Sequence, residues 1–411
     1  MHSSALIPRL RFTSFLSDWD EFRFAEVFER VVTKNQENNQ NVITISAQHG
    51  LINQQKYFNK SVSAKDVTGY YLLEKGNFAY NKSYSKDYPV GAIKRLNNYD
   101  KGVVSTLYIC FKTTGKQHDE FWEQYFEAGM LNREINKIAQ EGARNHGLLN
   151  ISVVEFFKDI KVKRPKIKEQ QKIANFLSAV DKKISLLKEK HALLEQYKKG
   201  VMQKLFSQEI RFKDENGKGF PDWEDSKFDN LFERVTQKNK ENNLNVLTIS
   251  AKRGLINQQK YFNKSVSAKN VTGYYLLNNG DFAYNKSYSK GYPMGAIKRL
   301  NNYDKGVVST LYICFKSHGD QHDAFWEQYF EAGLLNREIS KIAQEGARNH
   351  GLLNVSVTEF FRDIAVRVPS KNEQIKIAEF LRTLDKKLGL VSQQMEHTKT
   401  FKKGLLQQMF V

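Results

Sequence analysis

The amino-acid sequence predicts an α/β (α+β) globular domain present twice, each copy followed by one long α-helix, with the two helices forming an antiparallel coiled coil. Three observations predict this: an internal duplication, short strand-like runs within each copy, and a heptad pattern after each. Trp19 and Trp223, Cys110 and Cys314, and Gly200 and Gly404 are each 204 positions apart. Residues 50–65 recur without a change at 254–269, and residues 88–112 recur at 292–316 with only Val90 becoming Met294. Solenoid repeats have periods of about 20–50 residues, so the copied unit here is a whole domain with its connector.

Within the first copy, strand-like runs stand out at 41–46, 70–73, 77–81, 90–96 and 103–111, punctuated by Gly and Asn-Asn turns. A helix is expected from about Asp119 to Gln140, with Phe121, Trp122, Tyr125, Phe126, Leu131, Ile135 and Ile138 along one side. Ser152 with Glu155, and Ser356 with Glu359, have the spacing of a capping box, so a short helix should start at each. The sheet of such a domain is expected to be twisted or curled.

The long helices are read over 168–206 and 371–411. Ile173, Leu177, Val180, Ile184, Leu187 and Leu194 step by fours and threes in the first, as do Ile377, Leu381, Leu384, Leu388, Val391 and Met395 in the second. Polar His191 and Lys198 interrupt one seam, and Thr398 and Lys402 the other. A core-facing amphipathic helix inside each domain is the competing reading, but the seams outlast an ordinary helix and contain no proline. The expected division is a domain over 1–167, a helix over 168–207, a domain over 208–368 and a helix over 369–411. A helix of about 38 residues is about 57 Å long. Laid antiparallel, two of them would hold the domains apart about a local two-fold axis, on the scale of the roughly 34–36 Å helical turn of DNA.

Composition narrows the function. The chain of 411 residues has 40% hydrophobic residues, enough to bury a core in each domain. No apolar run is long enough to span a membrane and the first residues lack the apolar stretch of a signal peptide, so a cytoplasmic protein is expected. Cys110 and Cys314 lie in identical apolar segments with no ligand-spaced neighbours and read as buried thiols. Net charge is +19, from 64 Lys and Arg against 45 Asp and Glu, which favours a polyanionic partner.

Catalytic motifs are missing. There is no Gly-x-Gly-x-x-Gly and no phosphate-cradling Gly-x4-Gly-Lys loop. All six prolines are isolated, so an Asn/Asp-Pro-Pro-aromatic methyltransferase motif is absent. The acidic residues near Pro221, Asp222 and Asp225, with Lys227, are too crowded for a nuclease site. His118 and His322 have no partner at metal-ligand spacing and are expected on the surface, and no metal site is expected.

What remains is basic and polar sequence interleaved with aromatics. Lys82, Ser83, Tyr84, Ser85 and Lys86, and their counterparts Lys286, Ser287, Tyr288, Ser289 and Lys290, follow a strand and precede a turn. Lysines there can hold phosphates, while Tyr and Ser can reach bases or sugars. Arg144, Asn145 and His146, with Arg348, Asn349 and His350, are further candidates, because Arg forks onto guanine and Asn onto adenine. A solvated loop and a structural Arg-Asn turn are the competing readings.

The full layout resembles the specificity subunits of type I restriction–modification systems. The residues that carry the resemblance are Glu169–Leu177 (EQQKIANFL) with Asp181, and Lys198–Phe206 (KKGVMQKLF), repeated as Glu373–Leu381 (EQIKIAEFL), Asp385 and Lys402–Gly404 (KKG). Leu10, Arg11 and Phe12 before Trp19, and residues 208–223, resemble the segments leading into a target-recognition domain. The resemblance implies a non-catalytic subunit with two target-recognition domains, each reading one half of an interrupted site on double-stranded DNA. It further implies two modification subunits docked on the helices and methylating adenine, and restriction subunits that translocate and cleave. S-adenosylmethionine, ATP and magnesium would then be bound by those partners and not by this chain.

The chain departs from that family pattern in one respect. Family members usually pair dissimilar recognition domains with similar helices, whereas here the domains are near copies and the helices have diverged. Matching readers should prefer an interrupted palindrome. Gln48 and His49 against Lys252 and Arg253, and Asp87 against Gly291, are the differences that could alter one half. A stand-alone two-domain DNA binder, such as a repressor, and a coiled-coil scaffold are the alternatives.

Overall fold

The computed structural model describes residues 6–46, 49–59, 63–85, 88–139, 149–250, 253–263, 270–289, 291–344 and 353–411. They form two compact units, one of residues 1–189 with 392–411 and the other of residues 190–391. The first contains β1 (Asp20–Arg23), α1 (Phe24–Val27), β2 (Phe28–Arg30), β3 (Ile43–Ser46), β4 (Gly50–Asn53), α2 (Gln54–Phe58), β5 (Tyr71–Glu74), β6 (Phe78–Asn81), β7 (Ala92–Arg95), β8 (Lys101–Val104), β9 (Ile109–Thr113), α3 (Asp119–Glu127), α4 (Asn132–Ile138), α5 (Val153–Lys158) and β10 (Lys161–Arg164), followed by the long helix α6 (Ile167–Phe206). The second unit repeats this order with a 3-10 turn, Phe228–Asn230, in place of α1, and leads into the second long helix, Lys371–Gln408.

Each named ladder is antiparallel, which makes the domain α+β. β2, β9, β6 and β7 form a four-stranded sheet in that order, and β1–β10, β3–β4 and β5–β8 form separate two-stranded ladders. β6 and β9 are buried on both faces. Phe78, Tyr80, Ile109 and Phe111 join the aromatic core, while Ala79 and Cys110, pointing the other way, join Val31, Leu73, Leu96 and Val104. Alternate side chains of a strand face opposite sides, so a strand with a core on each side needs an unbroken apolar run. Phe24, Phe28, Phe111, Trp122 and Phe156 form the centre of the larger core, with Phe78 and Phe111 stacked at 5.4 Å. Burial pushes the Cys110 and Cys314 thiols up to about 12, so both stay protonated.

The start of one long helix and the end of the other pack into the same core within each unit, so the two helices run antiparallel. In the first unit Ile173, Ala174 and Leu177 lie beside Leu405, Leu406, Met409 and Phe410, and the Phe410 ring meets Trp19, Phe121 and Tyr125 at 6.2, 5.6 and 5.7 Å. In the second, Met202, Leu205 and Phe206 lie with Ile377, Ala378, Leu381 and Leu384, and Phe206 meets Trp223, Phe325 and Tyr329. Of the other seam residues, Val180, Leu187 and Val391 are buried, and Ile184, Leu194, Leu388 and Met395 are half-buried.

Two of the polar interruptions in the seams are ion pairs. Lys402 reaches Asp181 at 2.7 Å, and Asp181 also accepts a hydrogen bond from Gln124 of α3 at 2.9 Å. In the other unit Lys198 reaches Asp385 at 2.6 Å, and Gln328 donates to the same carboxylate. A polar pair at one level of an apolar seam disfavours slipped registers. Each aspartate therefore fixes both the helix pairing and the seat of the domain on it.

Some local expectations are corrected. The helix expected over 119–140 is two helices, because the chain turns at Gly129, whose φ of +74° favours glycine. A Cβ there would also sit 2.9 Å from Asn132. The strand expected over 103–111 is β8 and β9 joined by a turn closed by Tyr108 N–H donating to Ser105 O at 3.1 Å. His118 and His322 are half-buried and lie at helix starts, and burial lowers the His322 pKa. The capping serines Ser152 and Ser356 each accept from the backbone N–H three residues on, as expected.

Candidate nucleic-acid interface

The loop between β6 and β7 carries the first group of candidate residues. Asn81 ends β6 and accepts from Ser83 N–H at 3.1 Å, turning the chain outward at once. Ser85 and Tyr88 then exchange two backbone hydrogen bonds, an antiparallel bridge that closes the base of this small hairpin. The return depends on Gly91, with φ +85°, where a Cβ would lie 2.2 Å from Asn81 O; Gly295 is in the same situation. Tyr84 and Tyr288 stand out as exposed aromatics, 61% and 64% accessible. Ser83, Ser85, Ser287 and Ser289 are half-buried, as are Lys82 and Lys286. Burial lowers the Lys286 pKa, and no carboxylate pairs with it among the described residues. An amine held partly out of water without a counter-ion favours an incoming anion.

The second group, Arg144, Asn145, His146, Arg348, Asn349 and His350, lies outside the described residues, as do Lys86, Asp87, Gln48, Lys252 and Lys290. The segments that flank it are defined. Leu149 N–H donates to Lys82 O at 3.0 Å and Leu353 N–H to Lys286 O at 3.0 Å, so the end of this segment is tied to the base of the Lys-Ser-Tyr-Ser hairpin in both units. In the second unit Ala343–Gln344 pairs with Asn354–Val355 across it. The described residues that follow the second group, Leu149 and Leu353, therefore lie against the base of the hairpin.

Beside that hairpin in the first unit is a cleft of about 820 Å³ between the domain and the long helices. One wall is formed by His49, Tyr88, Lys94 and Arg95, and the other by Asp181, Lys188, Lys399 and Lys402. His49 sits at the β3–β4 turn, its N–H held by Ser46 Oγ at 3.2 Å, and Arg253 is held in the same way by Ser250. The domain wall is electrically satisfied. Lys94 lies 2.5 Å from Glu127, over the Tyr88 ring, and Tyr88 donates to Glu127 at 2.9 Å. Burial opposes charge on both, yet their mutual attraction raises the Lys94 pKa and lowers that of Glu127. Arg95 is spread over Asp119, Glu120 and Glu123 of α3.

The residues that carried the family resemblance fasten the helix to the domain. Glu169, 1% accessible, accepts from Arg11 Nε and Nη2, each at 2.7 Å, and Glu373 accepts from the same two nitrogens of Arg211 at 3.1 and 2.8 Å. Buried Gln170 donates to Pro165 O and accepts from His118 N–H, with Gln374 doing the same for Pro369 and His322. Reading the sequence alone missed the Lys94–Tyr88–Glu127 cluster and the Arg11 clamp. A basic residue in a strand and an acidic one on the next helix, repeated in both copies, were the available signal.

Among the described residues no group of His, Cys, Asp or Glu is positioned to hold a metal ion. No described helix is long and apolar enough to cross a membrane.

The fold is present twice, and each unit carries the same candidate surface. Residues 16–196 match the family described as Type I restriction modification DNA specificity domain, and the second copy repeats the matched sequence. Residues 16–196 therefore carry a type I restriction modification DNA specificity domain. The chain's fold is similar to that of the S subunit of a type I restriction–modification system from M. genitalium, at 15% identity, with 98% of this chain and 99% of that one aligned and a TM-score of 0.54. It is also similar, at 12% identity, to a chain from a study of complex assembly and conformational transition of the type I R-M system, over 94% and 96% of the two chains with a TM-score of 0.53.

Proposed function

We propose that this chain selects a bipartite, interrupted and near-palindromic DNA site for a type I restriction–modification complex, each unit reading one half. The observation that carries this is the sameness of the two candidate surfaces: the hairpin, the Arg-Asn-His sequence and the domain wall recur with the same residue types, apart from positions such as His49 and Arg253. Identical donor and acceptor arrays select identical bases. The Lys-Ser-Tyr-Ser hairpins and the Arg-Asn-His segments are the proposed contacts.

The chemistry is assigned to partners. Two modification subunits methylate adenine, taking the base out of the duplex, and restriction subunits supply translocation and cleavage. S-adenosylmethionine, ATP and magnesium belong to them, and this chain supplies address alone, in the cytoplasm. Methylome sequencing of a host expressing the chain with its modification partners tests the reading. The expected result is one adenine-methylated motif whose two ends are inverted copies, or nearly so. A continuous motif, or two unrelated ends, would overturn it. Co-purification separates it from a stand-alone binder, which would bring down no methyltransferase.

A further inference from the structure

The cleft beside the hairpin has one wall that is duplicated except at His49, which is Arg253 in the second copy, and one that differs at several positions. Tyr88, Lys94, Arg95, Glu123 and Glu127 on the domain wall have identical counterparts 204 positions on. On the helix wall, Lys188, Met395 and Lys399 line the first unit's cleft, and the corresponding positions are Ser392, His191 and Glu195. Lys188 and Lys399 against Ser392 and Glu195 is a difference of three positive charges.

This difference falls on the wall with charge to spare. Lys94 and Arg95 are neutralised by carboxylates of α3, as are Lys298 and Arg299 by Glu331, Asp323 and Glu327 in the second unit. Lys402 is held by Asp181 and Lys198 by Asp385. Lys188 is exposed and makes no ion pair among the described residues, and Lys399 has only an exposed pairing with Glu396 at 2.7 Å, of a kind worth little in water. At the corresponding place in the second unit, His191 lies 3.5 Å from Glu195, and the positive charge sits instead on the turn at Arg253.

We infer that the first unit's cleft holds duplex phosphates through Lys188 and Lys399 of the long helices, and that the second unit has no such anchor. This rests on the DNA-reading function proposed above. The two heads then read alike but grip unequally: one half-site is clamped between domain and helix, the other only by the domain's own loops. Each phosphate neutralised steepens the fall of log affinity with log salt by about 0.9.

The test is a salt titration of DNA binding by the full chain with its modification partners, on a duplex carrying the methylated motif and on one lacking it. The double variant Lys188→Ser, Lys399→Glu is expected to make the slope shallower by about 2 on both duplexes, since phosphate contacts carry no sequence, and to leave the methylated motif unchanged. The reverse variant Ser392→Lys, Glu195→Lys is expected to steepen it by about 1 to 2. Slopes equal to the wild type in both variants would overturn the anchor while leaving the DNA-reading function intact. A flat wild-type slope with no methylated motif would overturn both. All four positions lie on solvent-facing or half-exposed helix surface, and a melting curve for each variant verifies that it is folded.

Discussion

The globular domains and the long helices tolerate change very differently. Across residues 88–112 and 292–316 one side chain differs, whereas the exposed faces of the helices share little, as residues 188–191 (KEKH) against 392–395 (SQQM) show. In the domain a strand such as β6 has a core on each face, so a substitution meets close-packed neighbours on either side. A long helix answers only to its seam, its start and its end. Glu169, Gln170, Ile173, Ala174, Leu177, Asp181 and Phe206 recur at the corresponding positions as Glu373, Gln374, Ile377, Ala378, Leu381, Asp385 and Phe410, and these are the residues with structural partners. Identity of the copies thus marks the proposed reading surface and its support, and divergence marks the surface where the copies are free to differ.

The sharpest way to break the comparison is at the clamp both copies share. Arg11→Ala should destabilise the first unit by about 3–5 kcal/mol, the cost of leaving a buried carboxylate without its partner. Arg211→Ala should cost less, because Arg211 is more exposed and Glu373 keeps a second donor, Trp223 Nε1 at 3.1 Å. Denaturant melts of the two variants, compared by midpoint, check the order; equal losses would show that the tryptophan contributes nothing.

Next in size is the reading surface. Arg144→Ala together with Arg348→Ala should weaken binding to the methylated motif more than to unrelated DNA, by about 1–3 kcal/mol for each bidentate pairing with a base that the truncation abolishes. Equal weakening on both duplexes in a competition assay would make these arginines phosphate or structural residues.

The smallest effect is expected at the register pins. Asp181→Lys and Lys402→Asp should each cost about 1 kcal/mol, reduced from a buried-pair value because the aspartate is 40% accessible. The double exchange should recover part of it, with Gln124 losing its carboxylate acceptor in every case that changes Asp181. A double-mutant cycle with no coupling would show that Gln124 alone holds the aspartate.

Much of the fold was legible because it is periodic or repeated. The heptads located both long helices, the capping serines located α5, and the strand-like run over 77–81 located β6. What escaped was set by partners far along the chain. β10 has one apolar residue, Val162, and becomes a strand because β1 pairs with it, Glu21 meeting Lys161 at 2.7 Å. The break at Gly129 was missed because the apolar stripe continues through it in sequence. In the candidate interface, composition pointed to the Lys-Ser-Tyr-Ser loop, but the cleft behind it is made by residues from five elements and left no local pattern.

The Phe410 ring, seated against Trp19 and Tyr125, has a consequence for synthesis. The first domain's core is finished by side chains from the last turns of the chain. A ribosome adds about 5–20 residues per second, so that domain waits on the order of 10–40 s, while the whole second domain is made, before its last wall arrives. The second domain meets no such delay, since Phe206 precedes it. During that interval the nascent N-terminal half exposes an aromatic notch shaped for a phenylalanine, and a polypeptide truncated near its end would keep that notch open for good.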